Sequence, residues 1–130
     1  MAESGVERFV EELRELGYEP KRHGPDEVSF EYEIENGPRD GALIELGFVV
    51  PPSWPIEPPH GPCYRPAILR EAGIQEGVHQ GRHLGPEWDH WSRPFEGWAR
   101  VEQSLRSYMR LIRNLNKELP PEPLERANAA

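Results

Sequence analysis

One cysteine stands in 130 residues, so Cys63 has no partner for an intramolecular disulfide and cannot supply the paired thiolates of a zinc ribbon or finger. A reducing, cytoplasmic setting is the expectation. Positive charge is also short: 15 Lys and Arg against 23 Asp and Glu leave a net charge of −8. Phosphate backbones and anionic bilayers select a basic surplus, which argues against nucleic acid or membrane as the main partner and for a protein or a basic tail. Long apolar runs are missing, and a spanning helix needs about 20 such residues. The first residues turn acidic at once, unlike a secretory signal. With 36% hydrophobic and 9% aromatic residues, the chain fits one domain over 1–119, built of two packed layers, and a Pro-containing tail over 120–130 that is disordered or docks.

Periodicity divides the domain. Val6, Phe9, Val10, Leu13 and Leu16 recur at helical spacing, Ser4 and Glu7 read as a capping box, and Gly17 supplies the stop, which predicts a helix over 5–16. From Val28 the period becomes two: Val28, Phe30, Tyr32 and Ile34 face one way, Ser29, Glu31, Glu33 and Glu35 the other. The turn-rich Asn36 to Gly41 leads into a second, more apolar and therefore more central strand from Ala42 to Val50. Short strands are expected at Tyr18 to Lys21 and at Cys63 to Arg65. The segment from Glu71 to Pro94 lacks a period and reads as a long ordered loop. Val101, Leu105, Tyr108, Met109, Ile112 and Leu115 then mark an amphipathic helix that Pro120 and Pro121 end.

Proline, unlike cysteine, is plentiful. Five prolines lie between Pro51 and Pro59, after the strand ending Phe48-Val49-Val50, and they fix a stiff corner around Trp54. Its apolar flanking strand argues for a built-in turn over a polyproline ligand. Further on comes Trp91-Ser92-Arg93-Pro94.

This order of helix, antiparallel meander, Ser53-Trp54-Pro55-Ile56-Glu57-Pro58-Pro59 corner, long loop with a Trp-Ser-Arg-Pro element, and helix resembles the ubiquitin-conjugating enzymes over about Val6 to Leu119. The resemblance implies an α+β fold with an N-terminal helix, a four-stranded antiparallel meander, a long ordered loop and a C-terminal helix. In that family the nucleophilic cysteine lies on the loop shortly before the tryptophan and is commonly followed by leucine; here His83-Leu84 stands there, eight residues before Trp91. The asparagine that polarises the family's thioester has no counterpart beyond Val78-His79-Gln80. The chain is similar to the divergent bacterial members of the superfamily, found beside activating-enzyme-like and ubiquitin-like proteins. That similarity implies a non-thioester variant that binds an adenylating partner and a ubiquitin-like modifier.

Candidate residues follow. A neutral imidazole suits proton transfer near pH 7, so His83 is a candidate catalytic group, and Ser92 a candidate acceptor. Both also have plain structural roles open to them, in packing and in turning the loop. His79, His83, His90 and Asp89 lie within twelve residues, but their spacing matches no standard ligand pattern, and no metal or cofactor is expected. Trp88, Trp91 and Trp98 read as anchors of the loop, whereas Trp54, flanked by prolines, reads as partly exposed. Trp54, Pro55 and Ile56, with Glu7, Glu11 and Arg14 on the first helix, make up the expected protein interface. Two other readings are an active transferase using His83 or Ser92, and an adaptor or metal-binding domain unrelated to conjugation.

Overall fold

The computed structural model describes residues 5–71, 73–74 and 76–121. The capping serine Ser4 and most of the 120–130 tail lie outside the described residues.

The first helix, α1 (Gly5–Glu15), closes where glycine is required. Gly17 adopts φ 93°, its N–H donates to the Arg14 carbonyl at 3.0 Å, and the Tyr18 N–H reaches the Leu13 carbonyl at 2.9 Å, so the last carbonyls of the helix are satisfied by a left-handed turn. Phe9, Val10 and Leu13 are its buried face.

Among the described residues one antiparallel sheet contains six strands: β1 (Lys21–Arg22), β2 (Glu27–Glu33), β3 (Leu43–Val49), β4 (Cys63–Arg65), β5 (Val78–Gln80) and β6 (Asp89–Trp91), in spatial order β1-β2-β3-β4-β6-β5. The fold is therefore α+β. The sheet is two strands wider than the expected meander, because the segment read as a loop folds into the β5–β6 hairpin and adds to β4. Three-residue strands carry no readable period, and pairing across the sheet creates them. A short helix, α2 (Ile68–Glu71), precedes the hairpin. The first strand falls at Lys21–Arg22, at the end of the 18–21 stretch expected for it.

Helix α3 (Leu105–Leu115) is capped by Ser104, whose hydroxyl accepts the Ser107 N–H at 3.3 Å, and continues into a 3-10 turn at Asn116–Glu118 before Pro120. It buries Leu105, Tyr108, Met109, Ile112 and Leu115 against α1 and one face of the sheet, where β2 contributes Val28, Phe30 and Tyr32 and β3 contributes Ile44, Leu46 and Phe48. No helix among the described residues is long and apolar enough to cross a membrane.

The opposite face of the sheet is covered differently. The β5–β6 connection, residues 81–88, runs back across it as a strap, with Leu84 and Trp88 seated over Gly47 of β3. A Cβ on Gly47 would meet Leu84 Cδ1 and Trp88 Cζ3, each at 3.0 Å, so the bare backbone is what lets the strap close. Beneath it Ser29, expected on the solvent side, is buried. Its hydroxyl donates to Glu45 at 2.8 Å and meets His23 Nε2 at 2.6 Å, and Arg65 bridges Glu45 and Glu87.

Candidate functional site

A cleft of about 510 Å³ opens where the proline corner meets the hairpin, lined chiefly by Pro52, His60, Arg82, His83, His90 and Ser92. The corner is rigidly held. Gly5 N–H donates to the Trp54 carbonyl at 2.9 Å, and Trp98 Nε1 donates to the Pro55 carbonyl at 2.8 Å. Past the corner, Gly61 at φ 110° lets the chain pass against β6, since a Cβ there would lie 2.0 Å from the Trp91 carbonyl oxygen. The His60 carbonyl then accepts the Arg93 N–H at 3.1 Å, which fixes one wall of the cleft to the segment bearing Ser92.

The other wall is set by strain. Leu84 has φ 68°, the one positive value at a non-glycine among the described residues, and its N–H donates to Glu27 Oε2 at 3.1 Å. Left-handed backbone is costly for a branched side chain and persists where surrounding contacts over-determine it. Packing on Gly47 and the bond to Glu27 supply those contacts, and the residue so constrained directly follows His83.

Three histidines cluster beside the cleft. The His83 ring meets His90 edge-on at 4.9 Å between centroids, and His79 stacks on His90 at 5.9 Å. Burial drives the His90 imidazole down to about 4, helped by neighbouring His83 and opposed by its hydrogen bond to the His60 backbone. His83 is lowered too, by burial first and then by Arg82, against the pull of Glu27 and Asp26. Both rings are therefore neutral at pH 7. His90 Nδ1 is buried without a hydrogen-bond partner. Such a cleft can accept a proton at His83 and offers a hydroxyl at Ser92, although no hydrogen bond joins Ser92 to an imidazole in this structure. Among the described residues no group of three or more His, Cys, Asp or Glu side chains is arranged to hold a metal. Asp89, which shared the sequence cluster, faces away from His90 along β6 and pairs with Arg70 through the backbone N–H at 2.9 Å and the guanidinium.

Cys63 is not in the cleft lining. It is buried in β4, in register with Gly47 on one side and His90 on the other, and burial, with Glu27 and Asp89 behind it, pushes the thiol far above its ordinary range. A thiolate is what a thioester carrier requires, and this site opposes one.

The structure thus brings His83 and Ser92 to one cleft, and adds His60, Asp26 and Arg82. The clue to His60 was its position at the end of the proline corner; Asp26 and Arg82 had no sequence signal. Of the residues expected at the interface, Trp54 does not reach the surface. Trp54, expected to be partly exposed, is fully buried: its indole stacks on Trp98 at 5.7 Å and takes the edge of Phe9 at 5.0 Å. The prolines that flank it turn the ring inward to the aromatic core. Pro55 is half-buried, and Ile56, at 70% exposure, is the apolar side chain the corner presents. On α1, Arg14 is exposed, Glu11 is half-buried, and Glu7 is exposed and pairs with Arg22 at 2.8 Å. Trp88, Trp91 and Trp98 are buried, each at 5% exposure or less, and anchor their segments. The chain matches no protein-family model, no curated protein and no solved structure.

Proposed function

We propose that this chain is a ubiquitin-conjugating-enzyme-like component of a bacterial ubiquitin-like conjugation pathway, a cytoplasmic non-thioester variant that binds an activating-enzyme-like protein and a ubiquitin-like modifier. One observation carries the reading: the loop position that resembles the family's cysteine is His83, on the wall of a cleft beside the proline corner, while the only sulfur of a cysteine is sealed in β4. Helix α1, strands β1–β3, the proline corner, β4 and the closing helix α3 come in the order that the resemblance implies, with the β5–β6 hairpin standing where it implies a loop. Ile56 and the outer residues of α1, Glu7, Glu11 and Arg14, form the proposed contact with the activating partner.

The test is co-expression with an adenylating enzyme and a ubiquitin-like modifier from the same genome. A stable complex is expected, with Ile56→Asp weakening it about tenfold, the loss typical of a charge placed on an interface anchor, and with Cys63→Ala leaving any modification intact. A modifier adduct that dithiothreitol releases and Cys63→Ala abolishes would sink the proposal.

A second reading, transfer through His83 or Ser92, draws on their shared cleft and on the neutral state of His83. It requires that His83→Ala or Ser92→Ala abolish modification while the complex still forms.

A further inference from the structure

We propose that the outer face of α3 is a docking surface for an acidic segment of a partner protein carrying an apolar anchor residue. Arg106, Arg110 and Arg113 fall at helical spacing on one side of α3, over about 10 Å at 1.5 Å per residue. They rim a groove of about 370 Å³ whose remaining lining is Leu16, Tyr18 and Met109. In a chain of net charge −8 this is a concentrated cationic stripe. Among the described residues Arg106 and Arg110 make no ion pair or hydrogen bond, and only Arg113 is engaged, with Glu35 at 3.3 Å. All three arginines are exposed.

The floor selects what the rim attracts. Leu16 is 36% exposed and Tyr18 is half-buried, so an aliphatic or aromatic side chain can be covered there while flanking carboxylates meet the guanidiniums. Guanidinium groups bind carboxylates through paired N–H donors, which gives such a segment a register. A continuous polyanion is disfavoured. Glu12, Glu15 and Glu102 line the adjoining groove together with Leu16 and Arg106, and Glu35 closes the far end. Phosphates running past the stripe would meet these carboxylates within the screening distance of about 8 Å, whereas a short segment places its charges only where the arginines are. Charge complementarity, with an acidic boundary on either side, therefore points to a peptide and not to nucleic acid or a lipid surface.

The probe is a fluorescein-labelled peptide of glutamates interrupted by leucines, titrated with the intact protein and followed by anisotropy. Saturable binding that weakens as salt rises is expected, and R106E/R110E should lower affinity about tenfold or more, since two exposed pairs become repulsive. The control K21E/R100E makes the same charge change elsewhere and should bind like the wild type; R106Q/R110Q repeats the test should the reversed variant melt early. The proposal is overturned if saturation fails, if both variants bind unchanged, if a leucine-free glutamate peptide binds equally well, or if single-stranded DNA or phosphatidylserine vesicles displace the peptide at lower concentration than unlabelled peptide does. None of these readouts involves an activating enzyme, so the result is independent of the conjugation reading.

Discussion

The two faces of the sheet are closed by unlike means. On one, α1 and α3 lay an aromatic cluster against β2 and β3, with Phe9 and Phe48 at 5.6 Å and Phe48 and Tyr108 at 5.3 Å between ring centroids. On the other, a strap eight residues long rests on one glycine and on a chain of hydrogen bonds from His23 through Ser29 and Glu45 to Arg65. The apolar face depends on area removed from water, which tolerates some imprecision. The strap face depends on geometry, where Ser29 and Glu45 are buried because partners meet them, while His90 Nδ1 is left without one. The cleft belongs to the second kind of construction, since His83 and Leu84 are part of the strap.

The sharpest test of the contrast is on the apolar face. Trp54→Ala removes a fully buried indole between Phe9 and Trp98 and is expected to cost about 3–5 kcal/mol, measured by urea unfolding; a loss below about 1 kcal/mol would place the corner outside the core. Next comes Gly47→Val, which drives a branched side chain into Leu84 and Trp88 and should destabilise by about 1–3 kcal/mol. Hydrogen exchange should show the loosening concentrated over residues 81–88, and a uniform loss across the sheet would mean that the strap is not the element displaced.

Ser29→Ala tests the polar network. Burial acts to raise the Glu45 carboxyl, but hydrogen bonds from Ser29 and Arg65 outweigh it and hold the group below its ordinary value of 4.5. The unfolded chain thus takes up the proton first, so this contribution is present above pH 4.5 and is lost as pH falls below it. Removing the hydroxyl should cost about 1 kcal/mol at pH 7 and flatten the acid limb below pH 4.5. The smallest effect at neutral pH is at His90, whose folded value near 4 lies under its ordinary 6.5. Between those values the unfolded chain binds a proton that the fold refuses, so stability falls as pH drops from 6.5 toward 4. His90→Gln should flatten that interval and leave the steeper limb below it; unfolding midpoints at pH 7, 5.5 and 4.5 decide.

The same contrast governs what could be read in the sequence. Helices α1 and α3 and the β2–β3 hairpin announce themselves because each buries one periodic face, and the close match of 5–16 to Gly5–Glu15 reflects a helix stop encoded by Gly17. The hairpin β5–β6 has no such imprint: His79 and His90 face each other because β4 offers a free edge, a fact no local window contains. Trp54 misled because proline on both sides suggests a surface turn, while the direction of the ring is set by aromatics from α1 and α3 far along the chain. Ser29 misled for the matching reason on the other face, where the alternation was right and the lid over it was invisible. Of the cleft, His83 and Ser92 were legible as residue types in a suspicious segment, and their meeting with His60 was not.

Because the one cysteine thiol, Cys63, sits in the sheet interior between β3 and β6, it cannot be reached by an alkylating reagent while those strands stay paired. Its labelling rate is therefore a stopwatch for the parting of the strands behind the cleft. Followed by mass spectrometry with and without a ligand in the cleft, that rate would tell whether occupancy stiffens the sheet from the side opposite the helices.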